Sequence, residues 1–296
     1  MERPELTIGI SFYNTTDTLI GLAQCIFAQT FKNWEWILID DGSTDGGYEI
    51  ARAIKDPRVR VIRDDVNRGR SFRYNYITQI ARGDFIARFD ADDLCHPTKF
   101  QRQVEFLRTH PNVDLVSTDL LCLGPNDVPL GRHNIKTTTH EEICSKPLQG
   151  FWISHAPMMG RTKWFRDHPY PEQYKIAVDY ALFLTSYSTS RFANIPEPLY
   201  FYREYETHSL RKYYLTNVAV SRAIKEYAPS SFSSMEKHKA RMARYLRIGA
   251  YALATVMGLQ KRLISQRSSH QLSEEDRQVF EEAMKIIRNT KPDTNL

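Results

Sequence analysis

Hydrophobic positions in the first 120 residues follow two alternating periods. Short apolar runs of the kind found in buried strands occur at residues 6–12, 34–39, 59–62 and 84–89. Between these runs, apolar residues recur three or four positions apart. They predict a helix after the possible capping residues 15–17, with Leu19, Leu22, Ala23 and Ile26 on one face, and further helices at 48–54, at 72–81 and after Pro97. Strands and helices that alternate at this spacing predict an α/β fold with a mostly parallel central sheet.

The remainder of the chain divides into two regions of different pattern. Residues 120–205 are irregular, with a helix predicted at 178–187 and a strand at 199–203. After residue 210 only helical periodicity remains, at 215–228, 235–264 and 273–289, with a break at 230–234. We therefore expect a catalytic domain at 1–210, with halves 1–120 and 121–210, and a helical C-terminal extension at 211–296.

Composition places the chain among globular proteins, because 42% of its residues are hydrophobic and 25% are charged. No uncharged stretch approaches the roughly 20 apolar residues of a membrane-spanning helix, and the first residues lack the pattern of a signal peptide. The four cysteines show no metal-ligand spacing and fit a reducing compartment. These features predict a cytoplasmic protein, either free or at the inner face of a membrane.

An acidic motif follows the fourth predicted strand. Side chains two residues apart on an extended chain point to the same side, so Asp90 and Asp92 can point the same way. Paired carboxylates bind hard divalent ions such as Mg²⁺ or Mn²⁺ together with substrate phosphates. The alternative is an acidic turn exposed to solvent.

Two further polar motifs lie near strand or helix ends. Residues 40–45 (DDGSTD) could accept from a ribose hydroxyl or a base N–H, or they could simply end the strand, with Asp45 capping the next helix. Residues 67–73 (NRGRSFR) carry three arginines near a helix start, where phosphate oxygens are favoured. A solvated basic face is the alternative.

Together these motifs resemble family 2 glycosyltransferases of the GT-A fold. The resemblance covers about residues 5–210 and rests on residues 8–14 (IGISFYN), 28–31 (AQTF), 40–45, 67–69 (NRG) and 83–93 (GDFIARFDADD). It implies an inverting, metal-dependent hexosyl- or N-acetylhexosaminyltransferase of polysaccharide biosynthesis. The donor would be a nucleotide sugar of the UDP-sugar type, and the acceptor a glycan or a lipid-linked acceptor.

The resemblance also implies roles for residues of the donor site. Ser11 and Asp41 would contact the uridine, Asp92 would bind Mn²⁺ or Mg²⁺ on the diphosphate, and Asp90 would lie beside the ribose or the metal. The family's usual Ala-Arg-Asn is replaced by Arg73-Tyr74-Asn75, so the arginine on the phosphates is either Arg70 or Arg73.

On the acceptor side, residues 177–183 (AVDYALF) match the motif of the catalytic base and give Asp179 that role; the alternative is a helix N-cap. Residues 198–203 (PLYFYR) resemble the strand after the base, and the family's histidine two positions later is Tyr205 here. His208 is therefore only a candidate metal ligand or a loop residue. Trp152 and His155 either line the acceptor pocket or belong to the core.

Charge is distributed unevenly along the chain. The total is +5, but residues 211–268 hold 12 Lys or Arg against Glu226 and Glu236, a net +10, which leaves −5 elsewhere. Basic amphipathic helices bind anionic membrane surfaces or pack on a protein. Residues 211–268 could therefore either bind a membrane surface or pack on the catalytic domain. Nucleic acid is not expected as a partner, because no recognition motif accompanies the charge.

Two other functions compete with glycosyl transfer. A sugar-nucleotide nucleotidyltransferase should carry a glycine-rich phosphate loop after the first strand, and residues 11–16 contain no glycine. A degenerate domain that serves as a membrane or protein scaffold would not need the carboxylates of Asp41, Asp90, Asp92 and Asp179.

Overall fold

The computed structural model describes residues 3–204, 209–257 and 272–292. Its strands are β1 Leu6–Phe12, β2 Trp34–Asp41, β3 Val59–Asp64, β4 Phe85–Arg88, β5 Leu94–Cys95, β6 Leu115–Leu123, β7 Pro129–Arg132, β8 Met159–Arg161 and β9 Phe192–Arg203. Its helices are α1 Thr16–Phe27, α2 Gly47–Arg52, α3 Arg70–Ile80, α4 Lys99–Thr109, α5 His140–Ile143, α6 Thr162–Asp167, α7 Val178–Ser186, α8 Leu210–Tyr227, α9 Ser234–Val256 and α10 Glu274–Asn289.

The nine strands form one sheet in the order β3-β2-β1-β4-β8-β6-β9-β5, with β7 beside β6. Strands β3, β2, β1 and β4 are parallel, as the pattern predicts. Beyond them the sheet is mixed, because β8 runs antiparallel to both β4 and β6, whereas β6 and β9 are parallel. The α/β fold class is confirmed, and the parallel arrangement belongs mainly to the first half.

Burial explains why the parallel half is visible in the sequence. Every residue of β2 is buried, and β1 is buried except at Ser11. A strand covered on both faces reads as a continuous apolar run. Strand β2 extends two residues beyond the predicted end, so Asp40 and Asp41 belong to the strand and do not follow it.

The sequence pattern did not predict strands β5, β6, β7 and β8. All of β6 is buried, yet its centre is Ser117-Thr118-Asp119, which breaks the apolar run. Asp119 is tolerated there because Arg132 of β7 donates to its carboxylate at 2.6 Å. The partner of a buried charge lies on another strand, so the sequence alone does not reveal it.

The helices of the C-terminal extension join two apolar clusters of the catalytic half. Val220, Ala223 and Ile224 of α8 belong to the cluster that contains α7. Phe280, Ala283, Met284 and Ile287 of α10 belong to the cluster that contains α1 and β9. Packing therefore accounts for α8 and α10, and the division at residue 210 stays a prediction.

Helix α9 differs from its neighbours, because Tyr251 is its one buried residue. None of the helices in the described ranges has the length and apolar character that spanning a bilayer would need.

Candidate active site

The candidate site lies at the edge of the sheet where β1, β2 and β4 end. Ser11 pairs with Ile39 and Phe12 with Asp40 at the end of the β1–β2 ladder. Strand β4 is parallel to β1 and leads directly to Asp90. In open α/β sheets this edge is where ligands bind.

Asp90, Asp92 and Asp93 lie in a turn, and not in the extended strand that the alternation argument assumed. Strand β4 ends at Arg88, and the N–H of Asp93 donates to the carbonyl oxygen of Asp90 at 3.2 Å. The turn brings carboxylate oxygens of all three residues within 4.8 Å of one another. Asp90 and Asp92 thus lie close together, as expected, but the turn brings them together and not the alternation of side chains along a strand.

Asp93 is a member of this cluster to which the sequence analysis gave no role. It is 1% exposed and accepts from the hydroxyl of Tyr200 and from the backbone N–H of Arg203, both at 2.8 Å. These bonds fix β9 to the turn. The only signal in the sequence was a third acidic residue in the motif.

The electrostatics of the cluster favour a bound cation. Burial raises the pKa of Asp90 and the charge of Asp92 raises it further, while Arg70 opposes both effects. Burial raises the pKa of Asp93 well above its ordinary value, with smaller contributions from Asp90 and Asp92. Carboxylates held this close repel unless a cation or proton joins them. An all-oxygen donor set of this kind fits Mg²⁺ or Mn²⁺.

The three arginines of 67–73 have three different environments. Arg73 is 2% exposed, and its guanidinium donates to Asp41 at 2.6 Å and to Asp64 at 2.9 Å. Arg68 also donates to Asp64, at 2.8 Å. Arg70 has no hydrogen-bond partner among the residues that are described, remains accessible to solvent, and has its pKa raised chiefly by Asp90 and also by Asp92. Of these three arginines, Arg70 is therefore the one whose charge acts on the acidic cluster.

Asp41 is held in place by its neighbours across the β2 edge. One carboxylate oxygen accepts from the N–H of Arg68 at 2.9 Å and from Arg73, and the other accepts from the N–H of Gly69 at 3.0 Å. Gly69 has a φ of 83°, a conformation that a side chain would strain. Through these hydrogen bonds, Asp41 joins the loop before α3 to the end of β2.

Asp45 does more than the sequence indicates. Its carboxylate accepts from the N–H of Gly47, the first residue of α2, and also from the N–H of Thr16, the first residue of α1. Asp45 is not the N-cap of α2, as the sequence suggested, because the N-cap is Gly46; it bonds the first N–H of that helix from one residue further back. The bond to α1 joins the loops that follow β1 and β2.

Asp179 lies in the first turn of α7, and it is not the N-cap. The N-cap is Ala177, whose backbone is left-handed with φ 56° and ψ 35°. Burial raises the pKa of Asp179, while the backbone N–H groups of Tyr180 and Asp179 and the charge of Arg70 oppose the rise. A carboxylate whose pKa is raised by burial is a candidate general base.

His155 and Trp152 have different surroundings. The Nε2 atom of His155 lies 2.8 Å from the hydroxyl of Tyr170, and its ring packs against those of Tyr74 and Phe183. Burial and the charges of Arg88 and Arg70 lower the pKa of His155 to about 3, so the ring is neutral. Trp152 on the same loop is 58% exposed, which excludes a core role for it.

Arg88 is a buried residue near the site that the sequence analysis did not single out. It is 1% exposed and lies over the rings of Tyr74, Phe165 and Tyr170. It donates to the hydroxyl of Thr78 at 2.9 Å. The hydroxyl of Tyr74 in turn donates to a carboxylate oxygen of Asp90 at 3.4 Å. Arg88 therefore supports the position of Asp90 through Tyr74.

The remaining candidate of the sequence analysis, His208, lies outside the described residues together with Tyr205.

With the geometry established, comparison with known proteins defines the class. The family model for "Glycosyl transferase family 2" matches residues 7–168, more than half of the chain. The chain belongs to the family 2 glycosyltransferases.

Two relatives illustrate how far the similarity extends. The putative glycosyltransferase EpsE of Bacillus subtilis is 32% identical over 166 residues, 55% of this chain and 58% of EpsE. The Escherichia coli UDP-Glc:alpha-D-GlcNAc-diphosphoundecaprenol beta-1,3-glucosyltransferase WfaP is 36% identical over 104 residues, 35% of this chain and 41% of WfaP. The chain thus spans about half the length of these relatives.

Solved structures with the same fold cover nearly the whole chain. S. aureus TarS 1-349 in complex with UDP matches with a TM-score of 0.62 at 17% identity, covering 97% of this chain and 81% of that one. The mannosyltransferase PcManGT from Pyrobaculum calidifontis, in complex with GDP-Man and Mn²⁺, matches with a TM-score of 0.60 at 16% identity, covering 97% and 86%. The GT-A fold is therefore confirmed.

Proposed function

We propose that the protein is an inverting, metal-dependent glycosyltransferase that moves a sugar from a nucleotide donor, a UDP-sugar, to a glycan or lipid-linked acceptor. The observation that carries the proposal is the cluster of Asp90, Asp92 and Asp93, whose carboxylate oxygens lie within 4.8 Å of one another at the end of β4. The charge of Arg70 acts on Asp90 and Asp92, and more weakly on Asp179.

The donor would lie along the ends of β1, β2 and β4. Ser11 and Asp41 would contact the uridine, and Asp90 the ribose or the metal. Arg70 would bind the phosphates, because its guanidinium is accessible whereas that of Arg73 is occupied by Asp41 and Asp64. Arg73 would serve the nucleotide indirectly, by holding Asp41.

Asp92, with Asp90, would hold the divalent ion. When bound, Mn²⁺ or Mg²⁺ stabilises negative charge on a departing diphosphate. The all-carboxylate cluster supports this assignment, as does the presence of Mn²⁺ with GDP-Man in a protein of the same fold. Arg70 adds a second positive charge on the side of the leaving group.

Asp179 would take the proton from the acceptor hydroxyl. A base that acts directly on the acceptor leads to one displacement at the anomeric carbon, and a single displacement inverts its configuration. Its raised pKa suits this role, because a stronger base accepts the proton more readily.

The acceptor would enter beside His155 and Trp152. A neutral His155 can hydrogen-bond a sugar hydroxyl, and an exposed tryptophan can stack on a sugar face. A lipid-linked acceptor is supported by the similarity to WfaP, which is a UDP-Glc:alpha-D-GlcNAc-diphosphoundecaprenol beta-1,3-glucosyltransferase. Such an acceptor is met at a membrane, and the basic segment 211–268 is the part of the chain whose charge suits the inner face of one.

A panel of donors tests the proposed function. The full chain is incubated with UDP-glucose, UDP-N-acetylglucosamine, UDP-galactose and GDP-mannose, each with Mn²⁺ and with EDTA. We expect slow donor hydrolysis with a UDP-sugar and a melting temperature raised by several degrees when ligand greatly exceeds Kd, both dependent on Mn²⁺.

The enzyme assignment would be contradicted if no donor were hydrolysed and no donor shifted the melting temperature. The same chain is also given nucleoside triphosphates with sugar 1-phosphates. A nucleotide sugar formed in that mixture would identify a nucleotidyltransferase.

The different environments of the arginines give a matched pair of variants. Arg70→Gln should weaken binding of UDP and the UDP-sugar by roughly tenfold or more, because a charge-assisted bond to phosphate is lost. Arg68→Gln removes the same charge two residues away, where the side chain faces Asp64, and should change the affinity by less than about twofold. Calorimetric titration with UDP and uridine measures both, and equal losses of UDP affinity would contradict the assignment. Uridine binding should be unaffected by Arg70→Gln.

A further inference from the structure

Helix α9 presents an apolar stripe to solvent. The stripe consists of Met235, Met242, Leu246, Leu253 and Val256, whose exposed fractions run from 44% for Met242 to 86% for Val256. Intervals of three, four and seven residues place these side chains on one face of the helix. Exposed apolar residues that are contiguous, unlike scattered ones, indicate an interaction surface.

The opposite face of α9 is fixed to the rest of the protein. Tyr251 stacks on Tyr213 of α8 with the ring centroids 4.1 Å apart. Lys237 donates to the carbonyl oxygen of Ala228 at 2.9 Å, and Arg241 donates to Ser221 at 3.3 Å. These contacts set the rotation of α9, so the stripe faces away from α8.

The helical segment that carries the stripe is basic. Residues 209–257 contain nine Lys or Arg against Glu226 and Glu236, and five of the nine belong to α9. Glu226 is paired with Arg222, and Glu236 caps α9 through Ser233. Lys239 and Arg247 are exposed on α9 itself, next to the stripe. An apolar stripe bordered by cations matches an anionic interface in both hydrophobicity and charge.

We propose that the α9 stripe docks on the surface of an anionic lipid bilayer, with Leu246 and Leu253 entering the apolar boundary and Lys239 and Arg247 binding lipid phosphates. This deepens the proposed function, since it names the surface on which a lipid-linked acceptor would be met. The basic charge disfavours a second copy of this chain as the occupant, because two such helices repel one another.

Docking through α9 would also position the acceptor side of the active site. Arg244, on the face of α9 opposite the stripe, donates to the carbonyl oxygens of Leu148 and Gln149, just before Trp152. Its guanidinium also lies 6.0 Å from the ring of Tyr180, which follows Asp179. The helix that meets the bilayer is thus attached to the loop and the helix that would receive the acceptor.

Vesicle sedimentation with the full chain tests the proposal. Vesicles are pure phosphatidylcholine or contain 30 mol% phosphatidylglycerol. We expect binding to the anionic vesicles alone, and weaker binding in 0.5 M salt. Leu246→Gln with Leu253→Gln should reduce the partition coefficient at least tenfold, and Lys239→Gln with Arg247→Gln on the order of tenfold. Ile286→Gln, at an apolar α10 residue that is 50% exposed, is the matched control and should change nothing.

Three results would overturn the proposal. These are equal binding to neutral vesicles, unchanged binding of the Leu246/Leu253 variant, and a concentration-dependent dimer without vesicles that the same variant abolishes. Sedimentation requires neither donor nor acceptor, so its failure is distinct from failure of the proposed function. Donor hydrolysis in solution should be unaffected by the Leu246/Leu253 variant, which also shows that the variant is folded.

Discussion

Replacing Asp179 by asparagine will lower glycosyl transfer by about 10²–10⁴-fold, the usual contribution of a general base. Asparagine has the same shape but cannot take a proton from the acceptor. The start of α7 should survive the change, because Ala177 and not Asp179 is the N-cap. Initial rates with saturating donor, together with UDP titration, measure the effect, and the Kd for UDP should stay within about twofold.

Asp17→Asn is the matched control for this variant. Asp17 occupies the second position of α1, as Asp179 does in α7, but its side chain is exposed. It reports what the loss of a carboxylate from the first turn of a helix does by itself. An Asp179→Asn protein that binds UDP much more weakly would move Asp179 to the donor side.

The pH dependence of kcat/KM in the wild-type protein should also report the protonation of Asp179. Burial raises the pKa of Asp179 above the value of about 4 for a free aspartate. As the pH falls through this raised pKa, the carboxylate becomes protonated and the rate of transfer falls. The acid limb of kcat/KM should therefore lie above pH 4, and a profile that is flat down to that pH would exclude Asp179 as the titrating base.

Replacing Asp92 by asparagine will lower kcat/KM on the order of 10³-fold, since a metal ion supplies several kcal/mol of charge stabilisation and each 1.4 kcal/mol is about tenfold. Asp92 belongs to the carboxylate cluster. Among the described residues, Arg203 donates a hydrogen bond to its backbone carbonyl oxygen, and none donates to its carboxylate. The variant should lose the Mn²⁺-dependent rise in melting temperature with UDP. Its melting temperature without ligands should barely change.

Asp93→Asn provides the contrast. Asp93 holds Tyr200 and the backbone of Arg203, so its loss should lower the melting temperature even without metal. The reverse pattern, with Asp92 stabilising the fold and Asp93 determining Mn²⁺ affinity, would require the two roles to be exchanged.

The sequence indicated several residues that the structure brings together in the candidate site, but not their arrangement. Asp90 and Asp92 could be singled out because they follow a buried strand, and that strand is visible as an apolar run. Asp93 was not, because its partners Tyr200 and Arg203 are more than a hundred residues away along the chain. A hydrogen bond at such separation leaves no local pattern.

The arginines show the same limit. Arg68, Arg70 and Arg73 are indistinguishable as cations near a helix start, and their roles differ only because Asp64 at the end of β3 accepts from two of them. The fold follows a similar rule. The parallel strands were read from their apolar runs, whereas β6 depends on a buried Asp119–Arg132 pair that the pattern does not reveal.

The contact of α10 with α1 affects how the protein folds. The side-chain amide of Gln24 donates to the carbonyl oxygen of Arg288, 264 residues later, and Phe280 packs against Phe201 with the ring centroids 5.0 Å apart. During synthesis the N-terminal half leaves the ribosome first, but the apolar surface of α1 and β9 that α10 covers stays exposed until α10 has been made. Chaperones that shield exposed apolar surface should therefore associate with nascent chains that end before residue 274 and release longer ones.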